Sequence, residues 1–446
     1  MSSVKQLAIR GAVWTIGSYG ISQVLRLGSN LILTHLLFPE VFGLLNLVYV
    51  FITGLHLFSD MGIGQSIIQN KRGSEPTFLN TAWTMQVLRG VFLWGCCLLL
   101  AWPVAKLYGE PRLAWLLPIV GLNTIISGFN STVLYTLNRD MALGQLALFE
   151  LGGQVISMTV MIAWAWFHPS IWALIVGGLV ATVIQLAWSH WLACSTPNRF
   201  AWEPLAVKEL ISFGKWIFLS TAVTFLAGQT DRLILGWFSF QILGVYGIAY
   251  TLSDMPRQII LALASKVIFP AFAKFSELPR ETFRAKIEKN RLPILLALAF
   301  SLMLLVCFGD MVVRILYDKR YLDGTWMLPI LALGVWPMIL TQTIDPALFA
   351  LGKPQYITWG CFFSFLFLAF GIPLGFSVAG SVGAVIAIPL SNLPPYAVIT
   401  YGLWREKLAC IKQDLAATVI FLALIVMAGF ARAAAGFGFP LENLLR

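Results

Sequence analysis

Four arginines and three aspartates stand inside stretches far too apolar to welcome them: Arg26, Arg89, Arg232 and Arg257, with Asp60, Asp254 and Asp345. A charge at the centre of a hydrocarbon slab costs about 2.5–3.5 kcal/mol on insertion scales, and more by other measures. A span keeps such a group where it faces a partner, a bundle interior or a water-filled cavity. Guanidinium forks match phosphate oxygens two at a time, so the arginines suit an anionic headgroup. The carboxylates are the groups able to take up and release a proton or a sodium ion. The competing reading is structural pairing. Asp254 and Arg257 are three apart and can neutralise each other on one helix. Asp231 and Arg232 are adjacent, point about 100° apart on a helix, and need partners from other helices. Asp310 and Glu150 can reach an interface or a partner.

Other chemistry is poorly represented. No Gly-rich loop carries a phosphate-binding lysine, and the four histidines are scattered. Six cysteines show no metal-ligand spacing and read as packing thiols. The expectation is no enzyme, no metal and no cofactor.

The elements that must position the charged groups are membrane helices. Of 446 residues, 59% are hydrophobic and 11% charged, and the mean hydropathy is +0.82. Apolar runs of helix length recur from end to end without the alternation of a β-barrel. They predict spans near 11–33, 41–69, 80–105, 112–137, 143–166, 170–193, 213–238, 244–271, 293–316, 325–351, 356–377 and 382–404, and a further one at 415–435. The first run is too long for a signal-peptide core and reads as a retained helix. Prolines interrupt several spans. Pro256 falls between the charges of span eight and Pro346 follows Asp345, as where freed backbone groups line a cavity.

Lys and Arg divide eighteen to four between alternate sets of connections, which places the N-terminus in the cytoplasm. The net charge of +10 is therefore a topology signal and a contact with anionic lipid, with no call for nucleic acid. Residues 194–212 form one long connection. Residues 273–292 are polar and basic and predict a cytoplasmic surface helix.

The chain also resembles itself. Ser29-Asn30-Leu31-Ile32-Leu33 matches Asp231-Arg232-Leu233-Ile234-Leu235, and a glycine, Gly43 or Gly244, opens the next span. Six spans separate the copies, so the halves share an orientation. Ser59-Asp60-Met61 and Ser253-Asp254-Met255 look alike too, but fall seven residues out of that register and read as a coincidence. The expected fold is an all-α polytopic membrane protein. Two six-helix lobes are related by a pseudo-two-fold along the membrane normal, with an extra C-terminal helix. The expected boundaries are 1–194 for the N-lobe, 195–212 for a cytoplasmic linker, 213–404 for the C-lobe and 405–446 for the extra helix and tail.

The runs LRLGSNLILTHLLFPEVFGLLNLVYVF (25–51), LFSDMGIGQSIIQNKRGSEPTFLNTAWTMQVLRG (57–90) and QTDRLILGWFSFQILGVYGIAYTLSDMP (229–256) resemble the polysaccharide-transporter branch of the MOP superfamily, the Wzx-type oligosaccharide flippases. The resemblance implies a MATE/MOP-like pair of lobes in a bacterial inner membrane. It implies alternating-access translocation of an undecaprenyl-diphosphate-linked repeat unit for O-antigen, exopolysaccharide or capsule assembly. It implies the lipid-linked oligosaccharide as substrate, and a polysaccharide polymerase and chain-length regulator as partners. Carried onto this chain, it makes Arg26, Arg89, Arg232 and Arg257 the holders of the diphosphate. The family has twelve or fourteen spans; thirteen are read here. Two rivals share the architecture. One is a MATE-type cation-coupled drug antiporter, which calls for a cavity of acids and aromatics. The other is a non-transporting scaffold of a polysaccharide assembly complex.

Overall fold

The computed structural model describes residues 2–59, 62–70, 72–140, 142–193, 198–214, 217–264, 268–275 and 278–438; at 2–13, 15–16, 69, 211–214 and 217–220 only the backbone is described. Asp60, Lys266 and Cys194 fall outside these residues. The described residues are helical, without strands, and form two compact units, Met1–Ala222 and Val223–Arg446.

The first unit runs α1 (Ser2–Leu36), α2 (Pro39–Phe58), α3 (Ile63–Gln69), α4 (Pro76–Tyr108), α5 (Leu113–Gly128), α6 (Val133–Arg139), α7 (Leu143–Phe167), α8 (Ile171–Leu192) and α9 (Pro204–Gly214). Helix α10 (Ile217–Phe238) leads into the second unit. There follow α11 (Phe240–Ser253), α12 (Met255–Leu263), α13 (Phe269–Phe275), α14 (Arg280–Leu316), a 3₁₀ turn (Lys319–Tyr321), α15 (Gly324–Gln342), α16 (Pro346–Ala350), α17 (Gln355–Leu390), α18 (Leu393–Arg405) and α19 (Ile411–Ala434). Among the described residues eight helices are long and apolar enough to cross a membrane, or nine with the bent pair α5–α6. The protein is a multi-pass membrane protein.

In chain order each unit has a broken second span and a broken fourth. The second is α2–α3 in one unit and α11–α12–α13 in the other; the fourth is α5–α6 and α15–α16. The α5–α6 bend is 61°. The expected breaks at Pro256 and Pro346 are present, with each proline in the first turn of the new helix. Proline suits that position because its missing N–H would be unbonded there anyway. The expected spans 356–377 and 382–404 are separated within α17 at Ala379–Gly380, where Gly380 has φ 59°. Across that kink the backbones of Gly375 and Gly383 press together, and a Cβ on Gly375 would lie 2.3 Å from the Gly383 carbonyl oxygen.

Helix breaks free carbonyl groups that no lipid can satisfy. Arginines serve them. Arg89 of α4 donates from Nη2 to the His56 carbonyl at 2.7 Å and from Nε to Ser59 Oγ at 2.9 Å, both at the end of α2. Arg139 donates to the carbonyls of Ile67 and Asn70 at the end of α3, both at 2.7 Å. In the second unit Arg291 of α14 donates to the Leu340 carbonyl and to Thr343 Oγ1, both at 2.7 Å, at the end of α15.

Two expectations change here. The stretch 273–292 does not form a separate surface helix: from Arg280 onward it is continuous with span nine as α14. Arg291, counted above among the loop charges, is 2% exposed. It pairs with Asp414 of α19 at 2.6 Å. The long connection 194–212 also carries a helix, α9. Its Ala206 and Leu210 are fully buried against Ile67, Phe78 and Met85, and Glu203 just before it accepts two bonds from Arg72 at 2.8 Å.

Candidate functional site

A group of four charges in the second unit gathers where α10 faces the broken span α11–α12. Asp231 and Arg232 arrive on α10. Tyr246 and Tyr250, four apart, lie on one face of α11. Asp254 fills the junction of α11 and α12, and Arg257 and Gln258 open α12.

Each charge has a distinct set of partners. Arg257 forks onto Asp254, with Nη2 to Oδ2 at 2.9 Å and a short bond from Nε to Oδ1. Gln258 donates to Asp254 Oδ2 at 2.6 Å. Asp254, 5% exposed, is thus neutralised in place, as the i, i+3 spacing predicts. Asp231 accepts from the Tyr246 hydroxyl through Oδ2, while its buried Oδ1 has no partner. Arg232 bonds Gln229 Oε1 at 2.8 Å and stacks its guanidinium 5.3 Å from the Tyr250 ring centre. Its Nε is buried without a partner. Among the described residues Arg232 makes no ion pair, despite lying next to Asp231 in sequence.

Asp345 sits in the α15–α16 break of the same unit, half-buried. Its carboxylate caps neither helix and has no polar partner among the described residues. One turn earlier, Thr343 and Leu340 are held by Arg291.

The first unit carries a separate polar space. A cavity of 280 Å³ opens between α2, α4, α5 and α6, with Arg89, Gln86, Ser127 and Asn130 in its wall. Here α4 and α5 approach closely. A Cβ on Gly90 would lie 2.6 Å from the Thr124 carbonyl oxygen, and Thr124 Oγ1 donates to the Gly90 carbonyl at 3.1 Å. Small residues allow such backbone contact in apolar surroundings.

The predicted site residues are therefore distributed. Arg232, Arg257 and Asp254 come together around Tyr250, and Asp345 stands at another break in the same unit. Arg89 lines the first unit's cavity. Arg26 is exposed on α1, one turn beyond Ser22, which bonds Gln154 of α7 at 2.6 Å. Asp60 lies outside the described residues. Sequence reading missed Gln86, Asn130 and Arg291. The first two are uncharged and escape a search for buried charges, and the third looked like one more loop cation.

Solved structures share this all-helical fold, one of them a transporter of the MOP superfamily. The chain aligns over 98% of its length with all of "Lipid II flippase MurJ, inward closed conformation", at TM-score 0.70 and 14% identity. It aligns over 90% of its length with 95% of an inward-facing MATE-family multidrug resistance transporter of that superfamily, at TM-score 0.60 and 13% identity. The particular family follows from sequence. The family model described as polysaccharide biosynthesis protein matches residues 32–325, and the chain belongs to that family. Among its relatives, lipopolysaccharide biosynthesis protein WzxC of Escherichia coli is 23% identical over 403 residues, 88% of this chain and 80% of that one. Teichuronic acid biosynthesis protein TuaB of Bacillus subtilis is 24% identical over 301 residues, 66% of this chain and 61% of that one.

Proposed function

We propose that the protein is a flippase for lipid-linked oligosaccharides. It moves an undecaprenyl-diphosphate-linked repeat unit from the cytoplasmic to the outer leaflet of a bacterial inner membrane by alternating access. The observation that carries this reading is Arg232, a guanidinium held in an apolar unit, stacked on Tyr250, with a buried donor unused and, among the described residues, no carboxylate paired to it. What such a group lacks is an anion, and a diphosphate supplies one in the geometry a guanidinium prefers. Arg257 stands beside it in the same cluster, paired with Asp254. Arg26 and Arg89, both in the first unit, are the other two cations that the family resemblance suggests for an anionic substrate. The family match and the flippase named among the fold neighbours support the same reading.

Coupling to a proton or sodium gradient falls to Asp345. Of the three aspartates first considered, Asp60 lies outside the described residues and Asp254 is neutralised by Arg257 and Gln258, whereas the Asp345 carboxylate has no partner among the described residues.

The test is glycan export in a strain lacking its own flippase, with transfer of a labelled lipid-linked oligosaccharide in proteoliposomes beside it. Arg232→Ala and Arg257→Ala should abolish both while the protein still inserts. Normal export by Arg89→Ala, Arg232→Ala and Arg257→Ala alike would remove the arginine assignment. Transport of a cationic dye in place of the lipid-linked sugar would favour the MATE-type antiporter. Protein that moves neither, yet purifies with glycan-assembling enzymes, would favour the scaffold.

A further inference from the structure

Helix α1 is 35 residues long, enough to cross a membrane, yet it is not among the eight helices that are also apolar enough. The reason lies in its middle. At 100° per residue, Tyr19, Ser22, Gln23, Arg26, Ser29 and Asn30 fall within an arc of about 120°, and all the remaining residues from 19 to 30 are apolar or glycine. Both faces are open. On one side Tyr19 is 41% exposed and Arg26 is exposed; on the other Ile21 is 54% and Val24 70% exposed.

The helix runs beside α7 in the same direction. A Cβ on Gly144 would lie 3.2 Å from the Trp14 ring. Further along, Ser22 Oγ donates to Gln154 Oε1 at 2.6 Å and Gln154 Nε2 donates to the Ser22 carbonyl at 2.9 Å. Gln154 lies near the middle of α7, a helix long and apolar enough to span. Arg26, one turn past Ser22, is therefore deep in the membrane, where hydrocarbon expels a guanidinium. Lipid covers the Ile21 and Val24 side, and the polar arc faces water.

Several groups on this face have nothing bound. Gln23 uses one end of its amide on the Tyr19 hydroxyl at 2.8 Å and keeps the other open. The Arg26 guanidinium, the Asn30 amide and the Glu150 carboxylate, one turn before Gln154 on the same face of α7, have no partner among the described residues, and none is closed off from solvent. The mixture selects the ligand. A hydrocarbon tail is excluded by the polarity. Arg26 repels a cation, and Glu150, about two turns away along the pair, repels an anion. Sugar hydroxyls each donate and accept, so they use Arg26 as donor, Gln23 and Glu150 as acceptors and Asn30 as both. From Tyr19 to Asn30 the arc is about 16 Å long, a length for an oligosaccharide rather than for one ring.

We propose that the α1–α7 face of the first unit is a water-lined wall against which the glycan of the substrate lies, its hydroxyls meeting Gln23, Arg26, Asn30 and Glu150. That the face is wet is argued from the first unit alone; that its ligand is a glycan rests on the flippase reading.

The experiment is cysteine labelling of the full chain in lipid nanodiscs with a charged methanethiosulfonate. Peptide mass spectrometry reads each site, so the native cysteines stay in place. Gln23→Cys and Val24→Cys lie at nearly one depth and point about 100° apart; Asn30→Cys and Ile32→Cys make a second such pair. Gln23→Cys and Asn30→Cys should react about tenfold or more faster than their neighbours, because the reacting thiolate is a charge that hydrocarbon excludes. Equal rates in either pair would overturn the proposal. The lipid-linked repeat unit extracted from the strain of the export test should slow both by about tenfold at ten times its dissociation constant, as occupancy requires, and undecaprenyl diphosphate without sugar should not. Equal protection by undecaprenyl diphosphate would mean that the arc holds the headgroup and would overturn the glycan assignment. A repeat unit that is transported yet leaves both rates unchanged would sink this wall and spare the flippase reading. Protection by the repeat unit in protein that moves none of it would do the reverse.

Discussion

Arg432 of α19 and Asp310 of α14 form a two-pronged ion pair, Nη1 to Oδ1 and Nη2 to Oδ2, each at 2.6 Å with both side chains 3% exposed or less. Near the other end of the same two helices Arg291 meets Asp414. Between them Trp336 of α15 stacks on Phe421 at 4.6 Å and donates to Thr418 Oγ1 at 3.0 Å. The thirteenth apolar stretch of the sequence is therefore fastened along the second unit at both ends.

Removing one partner of a buried pair strands the other, at a cost of about 3–5 kcal/mol. Asp310→Asn and Asp414→Asn should each lower the thermal unfolding temperature of detergent-solubilised protein. Arg432→Met combined with Asp310→Leu should recover most of that loss, since apolar replacement of a whole buried pair is often neutral. Equal stability of Asp310→Asn and the parent would show that the pair contributes nothing.

Arg291 does more than pair with Asp414, because the same guanidinium holds Leu340 and Thr343 beside Asp345. Arg291→Lys keeps the charge but loses the fork. In proteoliposomes transport should fall by about tenfold, the equivalent of one charge-assisted hydrogen bond, with the protein still folded by circular dichroism. An unaltered rate would sever the link between α14 and the α15–α16 break.

Asp345→Asn should leave transport insensitive to an imposed proton or sodium gradient, and Asp345→Glu should keep the response. The check is transfer of labelled lipid-linked oligosaccharide with and without each gradient. A full response in Asp345→Asn moves the coupling role elsewhere.

Arg232→Lys separates charge from geometry. A lysine keeps the positive charge but cannot present two parallel donors or stack its plane on Tyr250. Export should drop well below the parent yet stay above Arg232→Ala. Parent-level export with lysine would mean that charge alone suffices.

Much of this arrangement was legible beforehand. An arginine or aspartate inside an apolar run is conspicuous, and the pairing of Asp254 with Arg257 follows from three-residue spacing alone. The break after α5 at 129–132 was not legible, because Phe129-Asn130-Ser131-Thr132 is a short polar patch with no proline to mark it. Arg139 and Arg291 hid for the opposite reason: their place near span ends gave them the look of loop cations, while their donors reach carbonyls inside. The two Ser-Asp-Met runs, set aside as coincidence, begin in both units where the second span stops: Ser59 ends α2, and Ser253 closes α11. They fall out of register because α11 is 14 residues long and α2 is 20.

Helices α10 and α11 are joined by Ser239 alone, whose hydroxyl accepts from the Ile242 amide. A joint of one residue has no slack. Any shift of α10 along its axis must be handed at once to α11, so the tyrosines that flank Asp231 and Arg232 travel with them as one corner.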